Sequence, residues 1–263
     1  MKRLFFLVAA ALMVLALNAQ DSLRLNKKGY FEMPGLNVTV FADIYPEGHQ
    51  TGVTIIQHGQ RVVANGDVRL ETSPGQWSPI PAAGQESIDR NNKTLSRHLW
   101  FPDSSRNRKG FNPIKYPELQ LQYNVRVKAL KNSSFKISVD LKEPLPEEWV
   151  GDVGFNIELF PGHLFGKSYI MDGQTGHFPR QPNGPVIQKQ DSYVTESLAS
   201  GHQLTIVPEN ELQRIQFQSK GKLELYDGRA NHNNGWFILR ETIPANSSHN
   251  VIEWIMSPNV VTD

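Results

Sequence analysis

Hydrophobic and polar residues alternate with a period of two along many short segments of this chain, and Gly, Pro, Asn or Ser bounds each segment. That period places successive side chains on opposite faces of a β-strand. The longest alternation covers residues 119–130, and a second run covers 135–141 after the turn residues 131–134. The pattern predicts a β-hairpin made of these two strands.

Four further runs near the N-terminal end also have strand character, at residues 36–44, 52–58, 61–64 and 67–71. Asn65-Gly66 separates the last two runs. Because both residues tolerate the positive φ of a type I′ turn, this pair predicts a tight hairpin there. We therefore predict two hairpins in succession.

A central segment at residues 154–185 combines a strand with many turn residues. Residues 155–160 alternate as in a strand buried on one face, and Gly and Pro then recur up to Pro185. Apolar residues between them, such as Phe165 and Phe178, predict a long ordered loop that is anchored to a core. The alternative is that the loop only closes one end of the fold.

A Pro/Gly-rich loop is predicted at residues 73–85. The remaining chain reads as short strands separated by loops, including strands at 214–218 and 222–226 and a second Gly-rich loop at residues 227–236. About fourteen short strands are predicted, and no segment keeps a helical period. The prediction is an all-β fold, a large antiparallel β-sandwich with long ordered loops and little helix, with a supersandwich-like variant left open. Residues 21–263 are predicted to form one domain.

Residues 1–20 have the pattern of a signal peptide. Lys2 and Arg3 precede an apolar run at 4–17, and a cleavage site follows at 18–20. No later stretch approaches the length of a membrane-spanning helix. We therefore expect an exported protein, periplasmic or extracellular, without a membrane span.

Charge and cysteine content narrow the function further. The chain has 27 basic and 26 acidic residues, and the formal charge changes from +1 to −1 without Lys2 and Arg3. Nothing in this balance favours a nucleic-acid partner. The chain contains no Cys, so a hydrophobic core must supply the stability instead of disulfides.

The sequence contains no motif typical of a metal or cofactor site. Asp227, Asn231 and Asn233 are spaced like oxygen ligands of a calcium loop, but Arg229 stands where another such ligand is expected. We predict no metal and no cofactor.

Aromatic and planar polar side chains in the loops are candidates for carbohydrate binding. An aromatic ring can stack on a sugar ring while amide, imidazole and guanidinium groups bond to its hydroxyls. The candidates are Trp77, Tyr169, Arg180, His232, Asn233 and Trp236. The alternative for each aromatic residue is a role in the core or as a loop anchor.

An acid/base site in the central segment is an alternative function. Asp172, Glu158 and His177 carry the side chains that such catalysis needs. Their spacing does not show whether they approach each other.

Four long motifs point to a family: ELFPGHLFGKSYIMDGQTGHFPRQPNGP, YDGRANHNNGWFILR, YPEGHQTGVTIIQHGQRVVANGDVRLE and KGFNPIKYPELQLQY. Through them the chain, from about residue 29 to 261, resembles the N-terminal β module of secreted glycoside hydrolase family 9 (cellulase-like) proteins of Bacteroidetes. The resemblance implies adjacent immunoglobulin-like and helical catalytic domains and a β-glucan-like polysaccharide partner. The family's catalytic residues belong to that helical domain, so it implies no catalytic residue here.

The leading expectation is therefore a secreted, non-catalytic module of a polysaccharide-degrading protein, which contacts glycan or supports a catalytic domain. The alternatives are a carbohydrate-active enzyme with its own site at residues 154–185 and a purely structural scaffold. Whether the chain is an enzyme stays open at this point.

Overall fold

The computed structural model describes residues 22–40, 52–71, 81–101, 121–182, 186–189, 192–231 and 235–260. The predicted signal peptide lies outside these residues. None of the helices in the described ranges is long and apolar enough to cross a bilayer.

Strands account for nearly all the regular structure of these ranges, in agreement with the predicted fold class. The first nine are β1 (Arg24–Leu25), β2 (Phe31–Met33), β3 (Leu36–Val40), β4 (Val53–Gln57), β5 (Gln60–Leu70), β6 (Ala82–Asp89), β7 (Thr94–Phe101), β8 (Leu121–Ala129) and β9 (Phe135–Leu141). The others are β10 (Val153–Leu159), β11 (Ser168–Met171), β12 (Gln174–His177), β13 (Val186–Lys189), β14 (Ser192–Thr195), β15 (Ala199–Ile206), β16 (Ile215–Asp227), β17 (Phe237–Thr242) and β18 (Ile252–Pro258). Three short 3-10 helices lie at Glu147–Trp149, Pro161–His163 and Gly228–Asn231.

Sixteen of these strands form one antiparallel sheet. Its main path runs β1-β2-β3-β4-β5-β10-β17-β16-β18-β9-β8-β7-β6, while β15 pairs with β16 and carries the β11–β12 hairpin. Strands β13 and β14 form a separate hairpin. The central position of β10, between β5 and β17, brings together segments that lie far apart in the sequence.

Strand β16 is the branch point of the sheet. One of its edges pairs with β15, and the other pairs first with β18, over Ile215 to Ser219, and then with β17, over Glu224 to Asp227. The sheet curls around this branch. As a result, Phe155 of β10 contacts Trp254 of β18 edge to face, with ring centroids 5.1 Å apart.

The core fills the inside of the curled sheet. It contains large side chains that are fully buried, among them Phe31, Phe135, Phe155, Phe217 and Trp254. The alternating apolar residues of the strands supply them, since every second side chain faces inwards. The sheet thus buries one face continuously, as the period-two pattern predicts.

The predicted β8–β9 hairpin is confirmed, with Tyr123 opposite Leu141 and Ala129 opposite Phe135. Asn132 in its turn has a φ of 57°, a conformation that asparagine tolerates well.

Three other predictions were wrong in detail. Strand β6 already begins at Ala82, within a segment predicted as loop, and the two strands predicted at 214–218 and 222–226 are one strand, β16. The central segment is also less of a loop than predicted, because β11 and β12 form a hairpin inside it. In each case local turn residues favour a loop, but strand pairing prevails: β6 pairs with β7, β12 with β11, and β16 with β15, β17 and β18.

The most consequential error concerns Asn65-Gly66, where β5 continues as a strand instead of turning. Neither residue has the positive φ that the turn requires. Glycine is needed at position 66 for another reason: a Cβ there would lie 2.4 Å from Cδ1 of Ile157 on β10. The close approach of β10 therefore explains why residue 66 is glycine. Because β5 continues through this position, Asp67 lies within the sheet.

Candidate functional site

Polar side chains occupy one face of three neighbouring strands, β5, β10 and β17. Asn156 of β10 lies opposite Asp67 of β5 on one side and opposite Arg240 of β17 on the other. Two residues before it in β10, Gly154 lies opposite Arg69. Because alternate residues of paired strands share a face, these side chains form one group on the face that does not carry Phe155.

We call this group, with Glu71 and Glu158, the buried ionic cluster; its members are Asp67, Arg69, Glu71, Asn156, Glu158 and Arg240. The cluster is almost inaccessible: the exposed fraction is 0% for Asp67 and 8% for Glu158, and 12% of the Arg69 side chain is exposed. Charged groups at such depth require partners, since their desolvation is costly.

Arg240 holds one half of the cluster together. Its Nη1 donates to Oε1 of Glu71 at 2.8 Å and to Oδ1 of Asn156 at 2.9 Å, and its Nη2 donates to the carbonyl oxygen of Asp152 at 2.8 Å. Asn156 in turn donates to Glu71. The guanidinium fits because residue 154 is glycine: a Cβ there would lie 2.7 Å from Cζ of Arg240.

The other half contains Arg69, Glu158 and Asp67. Nη2 of Arg69 pairs with Oε1 of Glu158 at 3.2 Å. Asp67 has no guanidinium partner at hydrogen-bond distance among the described residues; its Oδ1 accepts from the backbone N–H of Val68 at 2.8 Å and from the hydroxyl of Tyr123 at 3.2 Å. Oδ2 of Asp67 and Oε2 of Glu158 are buried without a hydrogen-bond partner in the described ranges.

The cluster contains three carboxyl groups but only two guanidinium groups. This imbalance and the burial of the groups both affect which carboxyl groups are protonated. Burial raises the pKa of Asp67 to about 7, an effect that the nearby charge of Arg69 reduces and that of Glu158 increases. Burial also raises the pKa of Glu71 and of Glu158, while Arg240 and Arg69 respectively act in the opposite direction. Asp67, which has no guanidinium partner among the described residues, can therefore hold a proton near neutral pH.

An aromatic pair extends the same face at the end of β10. Phe160 and Trp236 contact each other edge to face, with centroids 4.8 Å apart and an interplanar angle of 83°. Cζ of Arg61 lies 5.6 Å from the centre of the Phe160 ring. The charge of Arg61 also opposes the rise in the pKa of Glu158 that burial causes. We call Arg61, Phe160 and Trp236 the aromatic rim. All three are partly exposed, in contrast to the buried Asp67, Asn156 and Arg240.

Of the predicted carbohydrate-binding residues, Trp236 is the one that lies in this rim. Tyr169 is buried, with its ring against Phe178 at a centroid distance of 5.2 Å, so its faces are occupied by protein. Arg180 is exposed in the loop after β12. Trp77, His232 and Asn233 lie outside the described residues.

The two Gly-rich loops meet in the structure, through Arg229. Its guanidinium donates from Nη2 to the carbonyl oxygen of Pro179 at 2.7 Å and from Nη1 to that of Arg180 at 3.1 Å. It also pairs with the fully buried Asp227, whose Oδ1 accepts from Nε and Oδ2 from Nη2, each at 2.8 Å. The carboxylate of Asp227, which a calcium ion in this loop would need as a ligand, is thus paired with Arg229. The same arginine joins the two loops.

The alternative acid/base residues are not assembled as a group. Both oxygens of Asp172 accept backbone N–H groups, from His202 at 2.9 Å and from Gln203 at 2.8 Å among others. Asp172 precedes β12 and His177 ends it, so strand geometry separates them by roughly 15 Å. Glu158 belongs to the buried ionic cluster, and no hydrogen bond joins any two of these three described residues.

Comparison with known proteins adds little to this geometry. No protein-family model matches the chain, and no curated protein matches it. Among the solved structures that match is a "putative mutarotase (YeaD)" from Salmonella typhimurium, with a TM-score of 0.37 and 10% sequence identity over 93% of this chain and 97% of that chain. A TM-score this low does not establish a shared fold, and the architecture rests on the strands described above.

Proposed function

We propose that this chain is a secreted, non-catalytic carbohydrate-contacting module of a polysaccharide-degrading protein, and that glycan binds at the aromatic rim. The observation that carries the proposal is the partly exposed pair of Phe160 and Trp236 beside charged side chains, Arg61 and Glu158. An aromatic ring next to hydrogen-bonding groups is the combination that sugar recognition requires. The resemblance to the glycoside hydrolase family 9 module supplies the polysaccharide context.

We expect binding at this rim to be weak. Hydrogen bonds to sugar hydroxyls replace bonds to water with little net gain, so the aromatic contacts must supply most of the affinity, about 0.5–1.5 kcal/mol each beyond burial of area. A Kd in the high micromolar to millimolar range corresponds to about 4–6 kcal/mol of binding free energy.

Replacing Trp236 by alanine should therefore weaken binding of cello-oligosaccharides by about threefold to tenfold, because one stacking contact is lost. NMR titration of the wild type and of Trp236→Ala measures this difference. Trp100→Ala is the matched control, since Trp100 is also partly exposed but lies in β7, far from β10 along the sheet. If neither β-glucan nor xylan oligomers shift any signal of the wild type, the chain is a scaffold instead.

The second candidate function is acid/base catalysis, and the raised pKa of Asp67 is the observation that favours it. A carboxyl group with a pKa of about 7 exchanges a proton near neutral pH, as catalytic acids do. Asp67 is fully buried, however, so a substrate cannot contact it without opening the sheet. Burial and the missing access favour the non-catalytic function.

We accordingly expect no release of sugar from cellulose, xylan or mixed-linkage glucan by the isolated chain. Reducing-end assays at several pH values test this expectation. Sugar release that disappears in both Asp67→Asn and Glu158→Gln, while the variants stay folded, would establish the catalytic alternative.

A further inference from the structure

A second surface, at the end of β16 opposite to the one that pairs with β17 beside Trp236, has the features of a ligand site. A groove of about 590 Å³ opens where β16 begins and β18 ends. Leu204, Phe217 and Met256 of the strands beneath it are buried in the core. Their neighbours in the sequence, which line the groove, therefore lie on the opposite face of the sheet.

A row of polar side chains crosses the strands at this place. Thr205 of β15 lies opposite Gln216 of β16, and Gln216 lies opposite Ser257 of β18. The hydroxyl of Ser257 bonds to that of Ser134 at 2.8 Å, and Ser133 donates to the carbonyl oxygen of Pro258. The turn after β8 is thereby attached to the end of β18, which gives the groove a fixed wall.

Arg214 is the one charged residue among those that line the groove in the described ranges. Its backbone is well held, because its carbonyl oxygen accepts from Nε2 of Gln57 at 3.2 Å and from the N–H of Asn259 at 2.8 Å. Its guanidinium, by contrast, donates to no residue that the structure describes, and none of the described residues that line the groove carries a carboxylate. A guanidinium that has no acceptor among the described residues, in a groove lined by neutral polar groups, favours an anion, and a carboxylate can accept two parallel hydrogen bonds from it.

We propose that this groove binds an acidic saccharide, with a uronate carboxylate on Arg214 and sugar hydroxyls on the amide and hydroxyl groups of Gln216, Thr205 and Asn132. The volume lies within the range of small-molecule sites. Amides and hydroxyls dominate the lining, and they match a polyhydroxylated ligand better than an apolar acid. The site is independent of the aromatic rim.

Titration of isotope-labelled protein with trigalacturonic acid, cellotriose and acetate, followed by NMR, tests the proposal. We expect trigalacturonic acid to bind at least about tenfold more tightly than either of the others, since a hydrogen-bonded charge pair adds to the hydroxyl contacts. Shifted signals should include Gln216 and Ser257. In Arg214→Gln the preference for the acidic saccharide should disappear, and Arg214→Lys should keep only part of it.

Arg126→Gln is the matched control, because it removes the same charge from an exposed arginine that pairs with Asp140 instead of lining the groove. The control should bind like the wild type. Equal affinity for cellotriose and trigalacturonic acid would overturn the proposal, as would an equal loss of binding in Arg126→Gln and Arg214→Gln. Acetate binding as tightly as trigalacturonic acid would also overturn it, by showing a site for simple anions. The Trp236→Ala variant should retain this binding, which separates the groove from the aromatic rim.

Discussion

Replacing Arg240 by methionine should destabilise the protein by about 3–5 kcal/mol, the cost of breaking a buried ion pair by removing one partner. Methionine fills part of the space but leaves Glu71 without its ion-pair partner, and the carbonyl oxygen of Asp152 keeps the N–H of Glu71 but loses the guanidinium donor. Only 3% of the Arg240 side chain and 2% of that of Glu71 are exposed, so water cannot replace the lost bonds without opening the sheet. Urea denaturation measures the change in the free energy of unfolding.

Two further variants show whether the loss arises from the unpaired charge. The double variant Glu71→Gln with Arg240→Met should regain much of the stability, because the uncompensated carboxylate is gone. Arg126→Met is the matched control; it breaks the pair with Asp140, in which 41% of the arginine side chain is exposed, and should cost no more than about 1 kcal/mol. Similar losses for Arg126→Met and Arg240→Met would contradict this account of the cluster.

Stability should fall as pH rises from about 4 to about 7, and Asp67→Asn should remove much of this dependence. Because the pKa of Asp67 is about 7 in the folded state and near 3.8 in the unfolded state, the folded protein binds more protons between these values. The free energy of unfolding therefore decreases with pH over that window, by up to roughly 4 kcal/mol from this group. The raised pKa values of Glu71 and Glu158 act in the same direction.

The variant tests this sign directly. At about pH 8 Asp67→Asn should be several kcal/mol more stable than the wild type, whereas at about pH 4 the two should be similar, since asparagine resembles the protonated acid. Thermal or urea unfolding across this range provides the comparison. Asp89→Asn is the control, because Asp89 is exposed and hydrogen bonds from Asn92 lower its pKa, so it stays ionised throughout most of the window. Parallel pH profiles for the wild type and Asp67→Asn would show that Asp67 does not hold the proton.

The fold class was predictable because the strands carry their period-two pattern locally. The β8–β9 hairpin shows this best, since its two strands and the turn at Asn132 are adjacent in the sequence. At Asn65-Gly66, by contrast, the local signal for a turn competes with the pairing of β5 with β10, and the pairing prevails. That outcome depends on Ile157, about ninety residues further along the chain, and a local pattern cannot contain it.

The candidate site was predictable only in part. Trp236 was predicted as a carbohydrate-binding residue from its place after a Gly-rich loop, and Glu158 only as a possible acid/base residue of the central segment. The partners of the buried ionic cluster were missed, because Arg240 is separated from Asn156 by 84 residues and from Glu71 by 169. One signal was present in the sequence. Gly154 lies within a strand, and a glycine at such a position often marks the close approach of another group. It does not show that the group is a guanidinium.

The same separations in the sequence determine when, during synthesis, the protein can adopt its native structure. The cluster takes Glu71 from the first third of the chain, Asn156 from the middle and Arg240 from near the end. Contacts between such distant segments require the entropic cost of closing a large loop before they stabilise the chain. Chains dominated by such contacts fold slowly. A growing chain that lacks β17 also lacks the arginine that neutralises Glu71, so its central sheet carries an uncompensated buried acid. Native structure around β10 therefore forms only after β17 has been synthesised.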